Sequence, residues 1–433
     1  MQGSHFYQPC LFSYISPESL IPSSHILKRI DSLIELSFVK GLTSATYFLN
    51  NGRPSIDPEL YFRMLLIGYL YGISSDRKLC EEIHYNLAYR WFCRLNWDDR
   101  VPHHSSLSRI RDRYGQSVFE RFFQYVIALC QKMGLVKGEC LMTDSTLIKA
   151  NASLASLVAL APQDEPKKHY ETGLHPPVGR KINNATHISR TDPDASLAHK
   201  KGTSQTLKYK VHHSIDSYKR IILDCYVTSG SMHESQVYME RLNHILKTYN
   251  IPFKKVVADR AYGSADILNQ LIKQQIKSYI PLFSSRSGSA CPTLEAGFIY
   301  DAGRDVFECV NKITLFPSSH IDKGIKTYRA PTKECRSCVK KGNCQAKIIK
   351  KSGRRYVLRS VFQDLYSQVI EDMKSPQFLK KLKERMWKME GIIAEAKNLH
   401  TLNQAKYRRL EKVQIQAFMT ASILNLKRLQ SVD

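Results

Sequence analysis

Two acidic residues stand where apolar runs give out: Asp144 in LMTDSTLIKAN and Asp259 in VVADRAYGS. A buried carboxylate without a partner is costly, so an Asp at the end of an apolar strand needs a reason to be there. Capping the next turn is one reason. Holding a cation is the other. A third carboxylate on the basic helix that carries Glu384, Glu390 and Glu395 would complete a set of hard oxygen ligands. Such a set suits Mg²⁺ or Mn²⁺, and two of these ions about 3.5–4 Å apart activate a nucleophile and stabilise a leaving oxygen.

A second group of ligands is sulfur. Cys335-x₂-Cys338-x₅-Cys344 lies in a lysine-rich stretch, with Cys309 upstream in FECVNK and Cys291 as its substitute. Four thiolates would close a tetrahedral structural Zn²⁺ site in a segment short of apolar core. Reduced free thiols are the alternative. Cys80, Cys93, Cys130, Cys140 and Cys225 sit in apolar surroundings and read as buried thiols. Cations form the third group. Arg109, Arg111 and Arg113 follow a helix start, and Tyr407, Arg408, Arg409 and Lys412 follow the acidic helix. Both sets suit DNA phosphates, and solvated helix faces are the alternative. The pairs His103–His104 and His212–His213 read as local hydrogen-bonding residues, since a hard carboxylate site does not need them.

The elements that must position these residues are legible in outline. Asp57 caps and Pro58 opens a helix with Leu60, Met64, Ile67 and Leu70 at helical spacing. Asp76–Leu95 reads as a second helix, and Ser105 or Ser106 starts a third. Residues 1–135 are therefore expected to form an all-helical, DNA-binding domain. Strands follow at Glu139–Asp144, Thr206–Ser214 and Arg220–Thr228. Then come a helix (Glu234–Thr248), a strand (Lys254–Asp259), a helix (Ser264–Gln275) and a strand (Ser278–Pro281). That order predicts an α/β, ribonuclease H-like catalytic core. Its first part covers 136–282, a cysteine-rich insertion covers 283–375, and its helical C-terminal part covers 376–433. Residues 152–204 read as a long exposed loop. A helical pattern runs over Leu379–Leu429, with Met386, Met389, Ile393 and Ala396 as its apolar face.

Composition narrows the partners. The 433 residues hold 64 Lys plus Arg against 39 Asp plus Glu, a net charge of +25. An excess that large implies a polyanionic partner. A membrane partner is not expected, because no segment has the uninterrupted apolar length of a span. The start of the chain lacks a secretory pattern, so a cytoplasmic, nucleoid-associated protein is expected. Phosphate-binding loops, dinucleotide fingerprints and Ser–His–Asp arrangements are missing, which argues against ATP-dependent or hydrolase chemistry.

Three stretches, TDSTLIKANAS, ADRAYGS and RMWKMEGIIAEAKNLHTLNQAKYRRLEKVQIQAFMTASILNLKRL, resemble the catalytic segments of DDE transposases of bacterial insertion sequences. RPSIDPELYFRMLLIGYLYGISSDRKLCEEIHYN and HHSSLSRIRDRYG resemble the N-terminal helical domain of that group, so the likeness runs from about residue 50 to the end. The resemblance implies a ribonuclease H-like fold, a Mg²⁺ cofactor and terminal inverted repeats as substrate. It also implies Asp144, Asp259 and Glu390 as the metal carboxylates, with Lys397 holding a phosphate two helical turns beyond Glu390. Arg385 is the candidate for the family's DNA-contacting arginine, but it stands five residues before Glu390, where the family spacing is four and Met386 sits, and the family's tyrosine is absent. The expected activity is cleavage of element ends and joining of 3′ ends to target DNA, by a homodimer in a synaptic complex. An inactive DNA-binding relative and a nuclease that never joins strands are the alternatives.

Overall fold

The computed structural model describes residues 16–47, 55–160, 182–199, 202, 204–282, 297–322, 324–349 and 352–431. The chain packs as two compact units. One comprises Met1–Lys137, Ser145–Met232 and Lys388–Asp433; the other comprises Gly138–Asp144 and His233–Trp387. Packing thus divides the chain differently from the boundaries read at 135, 282 and 375. The N-terminal helices share a unit with strands and with the C-terminal helix.

In the first unit the N-terminal region is helical: α1 (Ile26–Leu33), α2 (Phe38–Thr43), α3 (Pro58–Leu70), α4 (Asp76–Tyr85), α5 (Leu87–Phe92) and α6 (His104–Lys132). Asp57 caps α3 by accepting the Glu59 N–H at 2.7 Å, with Pro58 in the first turn. Every residue of α3 from Tyr61 to Leu70 is buried, so this helix is central to the unit. α6 is capped by His103, not by Ser105 or Ser106. It breaks helical geometry at Gly115 (φ 64°, ψ −177°), a conformation glycine tolerates because it has no Cβ.

Three long strands follow: β1 (Cys140–Lys149), whose first part belongs to the other unit, β2 (Thr206–Asp216) and β3 (Ile222–Ser229). β2 runs antiparallel to β3, from Tyr209 opposite Ser229 to Ile215 opposite Ile222. The C-terminal helix Leu410–Leu429 packs on α6 and β3, and every residue from Val413 to Leu426 is buried. Its buried amides supply what an edge strand lacks. Gln414 accepts from Val227 N–H (2.7 Å) and donates to Cys225 C=O (2.8 Å), while Asn425 bonds both backbone groups of Ile222 (2.8 Å each). The free edge of β3 is thereby satisfied without another strand.

Two expected segments differ here. The stretch 152–204 is not all exposed loop. Leu157–Ala159 pairs with His187–Ser189, and Asp192 is fully buried, accepting from the Tyr209 hydroxyl at 2.6 Å. The helical pattern over Leu379–Leu429 is two helices, Pro376–Leu399 and Leu410–Leu429, because residues 400–409 bond elsewhere. His400 Nδ1 meets Tyr69 C=O at 2.8 Å, and Ala405 N–H donates to Lys149 C=O at 2.7 Å.

In the second unit the first half of β1 pairs in parallel with β4 (Lys255–Val257), which pairs in parallel with β5 (Lys277–Tyr279). Helices Ser235–Tyr249 and Ala265–Lys273 flank β4 in sequence. The same unit holds an antiparallel sheet of β6 (Phe298–Asp301), β7 (Val306–Cys309), β8 (Thr314–Asp322), β9 (Ile325–Arg329), β10 (Lys347–Ile348) and β11 (Arg355–Ser360). Its order is β10-β11-β9-β8-β7-β6. The architecture is mixed α/β with an N-terminal helical region. Among the described residues no helix is long and apolar enough to cross a membrane.

Candidate functional site

The parallel register brings the two aspartates together. Met142 on β1 lies opposite Val257 on β4. Two residues further along β1 stands Asp144, and two residues past the end of β4 stands Asp259, the cap of the next turn. Asp144 is not a strand end, as the sequence suggested; β1 runs on to Lys149. Asp259 does cap a turn, accepting the Ala261 N–H at 2.8 Å with Oδ1. Adjacent carboxylates repel, and the charge that answers them here is Arg385. Its Nη2 stands 3.1 Å from Asp144 Oδ2 and 3.7 Å from Asp259 Oδ2, and its Nε donates to Thr143 C=O at 3.2 Å. Beside the pair, Tyr262 is buried, and desolvation with the charges of Asp144 and Asp259 pushes its phenol well above the ordinary value. It therefore stays neutral.

Helix Pro376–Leu399 carries three candidate glutamates, and their partners separate them. Glu384 pairs with Lys381 at 2.7 Å. Glu395 pairs with Lys427 at 2.5 Å and Arg428 at 3.2 Å. Glu390 is exposed and, among the described residues, makes no ion pair or hydrogen bond. Lys397 donates to Leu147 C=O at 3.0 Å. Burial and the Lys397 charge pull the imidazole of fully buried His213 down to about 4, so His213 is neutral at pH 7. The buried residues of this helix are Phe378, Arg385, Lys388, Met389, Ile392 and Ala396, while Met386 is exposed, contrary to expectation.

Glu395 yields a stability prediction. Burial raises its carboxyl pKa, but His400, Lys427 and Arg428 outweigh that and hold it at about 2. A depressed folded-state pKa gives stability that is present above the unfolded value of about 4.5 and lost as pH falls toward 2. Glu395→Gln should therefore destabilise the fold by about 2–4 kcal/mol at pH 7, with the deficit shrinking below pH 4 in urea titrations.

The two basic sets converge within the first unit. Lys412 pairs with Asp112 at 2.8 Å, which sets Arg109 and Arg113 of α6 near the start of the C-terminal helix. Arg109, Arg113, Arg408 and Arg409 are exposed; Arg113 lies over the Tyr47 ring, and Arg408 Nε donates to Asn151 C=O at 3.0 Å. Arg111 does not belong with them. It is buried, pairs with Asp76 at 2.8 Å and covers the Tyr407 ring at 3.8 Å. Tyr407 is buried by that contact, so it offers no stacking surface. Of the histidines, His103 caps α6 and His212 Nε2 meets Thr228 Oγ1 of the neighbouring strand at 3.0 Å, whereas among the described residues both ring nitrogens of buried His213 lack a hydrogen-bond partner, so that pair is not the local hydrogen-bonding one expected.

Cys309, Cys335, Cys338 and Cys344 line one small cavity at the end of the second sheet. Burial and the other three thiols push the Cys335 thiol above its ordinary value. Cys291 lies outside the described residues. Among the described residues, no three His, Cys, Asp or Glu side chains are gathered as they stand into a metal-holding arrangement. In donor type, the paired aspartates fit a hard divalent cation, since two carboxylates already share one positive partner.

Sequence reasoning missed Thr143, Tyr262, Asp76 and Asp192. Nothing in their spacing marks them, since each acts through a partner remote in the chain.

A family model described as "Transposase domain (DUF772)" matches residues 15–113, and one described as "Transposase DDE domain" matches residues 309–430. The chain is accordingly a metal-dependent enzyme of DNA cleavage and strand transfer. It is a transposase with an N-terminal DUF772 domain and a C-terminal DDE domain. Among solved structures, a cryo-EM structure of piggyBac transposase synaptic complex with hairpin DNA is similar at 10% identity and TM-score 0.36, covering 94% of this chain and 74% of that one. A Mos1 transposase paired-end complex with the left transposon end follows at 11% identity and TM-score 0.18, covering 58% and 68%. A Mos1 mariner paired-end complex with Mn is similar at 13% identity and TM-score 0.17, covering 53% and 62%. No curated protein matches the sequence.

Proposed function

We propose that the protein binds the terminal inverted repeats of a bacterial insertion sequence, cuts a phosphodiester at each end and joins the freed 3′ ends to target DNA. The core is read as ribonuclease H-like, and the working form as a homodimer pairing two ends. Asp144, Asp259 and Glu390 would hold Mg²⁺ or Mn²⁺, which supplies nucleophile activation and leaving-group stabilisation when bound. The observation that carries this reading is the meeting of Asp144, on β1, and Asp259, just past the end of β4, at one guanidinium. Arg385 offsets their mutual repulsion and, anchored on Thr143 C=O, holds Asp144 in place. Lys397, held by Leu147 C=O, contacts a DNA phosphate, and Arg109, Arg113, Arg408, Arg409 and Lys412 track the backbone. A labelled duplex carrying the DNA that flanks the gene, mixed with target plasmid and Mg²⁺, tests the reading. Cleavage plus joining supports it. Cleavage alone points to a nuclease, and retardation alone to a binder.

Arg409 gives a separate prediction. Its backbone (φ 71°, ψ 145°) lies close to a region that glycine dominates, held there by its own N–H to Asp192 Oδ1 (2.9 Å) and by Leu410 N–H to Asp194 Oδ2 (2.8 Å). Arg409→Gly should stabilise the fold by about 1 kcal/mol in denaturant titrations. It should also weaken DNA binding and reduce the slope of log K against log salt by about 1.

A further inference from the structure

We propose that Cys309, Cys335, Cys338 and Cys344 hold one structural Zn²⁺ ion as four thiolates, closing the end of the second sheet. The four residues come from three separate places and face one another across a single cavity. Cys309 ends β7 and opens a tight turn, in which Lys312 N–H donates to Cys309 C=O at 2.8 Å and Cys309 N–H donates to Ile313 C=O at 3.1 Å. Cys335 lies in the helical turn Thr332–Arg336, Cys338 follows it, and Cys344 follows the turn Lys341–Asn343.

The cavity matches an ion in size and chemistry. Its volume is about 20 Å³, room for one water-sized sphere and too little for an organic ligand. Cys335-x₂-Cys338 forms one chelating arm, and Cys309 with Cys344 forms the other. Soft thiolates favour Zn²⁺ over the hard cations of the carboxylate site. Asn311 Nδ2 already donates to Cys338 Sγ at 2.9 Å, the kind of contact that orients a metal-bound sulfur. Four thiolates around Zn²⁺ carry two net negative charges, and Lys341 and Arg355 line the same cavity to offset them. Binding forms four Zn–S bonds and releases four thiol protons to solvent.

The sheet has a reason to need the ion. Its buried cluster is Phe298, Phe307, Leu315, Tyr328, Ala330, Ala346 and Val357, with Cys309, Cys335 and Cys344 packed against its side. A core that small leaves a segment dependent on a staple, and a thiolate site supplies folding energy.

The test uses the full chain purified under reducing conditions without chelator. Elemental analysis should find about one equivalent of zinc in the parent and in Asp144→Asn, which leaves the cysteines intact. Cys338→Ser and Cys309→Ser should each lose most of it. Co²⁺ exchanged into the parent should give thiolate-to-cobalt charge-transfer absorption, a readout that does not require a variant to fold. Chelation should open new protease cuts within 298–360. Less than about a tenth of an equivalent of zinc with no cobalt–thiolate band would overturn the proposal. So would a disulfide between two of these four cysteines, found by peptide mapping as a linked pair two hydrogen atoms lighter than its free thiols.

Discussion

Asp259→Asn protein should bind DNA as the parent does and cut it on the order of 10³-fold more slowly in Mg²⁺. The amide has the shape of the carboxylate, so its oxygen can still accept the Ala261 N–H and the turn after β4 should survive. The charge is lost, and with it a hard anionic ligand for a divalent cation. Asp144→Asn should behave alike, since Asp144 shares the guanidinium of Arg385 with Asp259. Gel-resolved cleavage, with anisotropy for binding and circular dichroism for the fold, separates chemistry from folding. A variant that cuts at the parent rate would remove the aspartates from the metal site.

Arg111→Ala should cost about 3–5 kcal/mol of stability, the largest structural effect expected of a single substitution here. Arg111 is buried between Asp76 of α4 and the Tyr407 ring, and Lys406 also reaches Asp76, at 2.6 Å. Burial pushes the Asp76 carboxyl up, but Lys406 and Arg111 hold it below the ordinary value. Removing the guanidinium leaves Asp76 with half its compensation and exposes the face of Tyr407. The cluster ties the N-terminal helices to residues 400–409. Urea denaturation measures the loss directly, and a deficit under about 1 kcal/mol would mean that Lys406 alone satisfies Asp76.

What the sequence revealed and what it hid follow a physical line. Local signals were readable: the Asp57–Pro58 helix start, the strand before Asp144, and the turn after Asp259 all depend on neighbours in sequence. Pairings across the chain were not. Arg111 and Arg113 look alike in RIRDRYG, yet one is buried against Asp76 and the other lies exposed over Tyr47. Periodicity placed Met386 on the apolar face, whereas the buried position is Arg385, kept there because it meets two carboxylates and Thr143 C=O. The C-terminal helix shows no clear polar face because its Gln414 and Asn425 serve the edge of β3. The choice among Glu384, Glu390 and Glu395 rested on motif position in the sequence. In the structure, ion pairs occupy Glu384 and Glu395 and leave Glu390 exposed.

That last distinction supports the most direct measurement. Cleavage of a duplex carrying the gene's flanking DNA is timed in Mg²⁺ for the parent, Glu390→Gln and Glu384→Gln, all matched for folding and DNA affinity. Glu390→Gln should be slowed on the order of 10³-fold, while Glu384→Gln should stay within a few-fold of the parent. Cleavage by Glu390→Gln at the parent rate, or loss of cleavage in Glu384→Gln instead, would contradict the assignment of the third metal carboxylate.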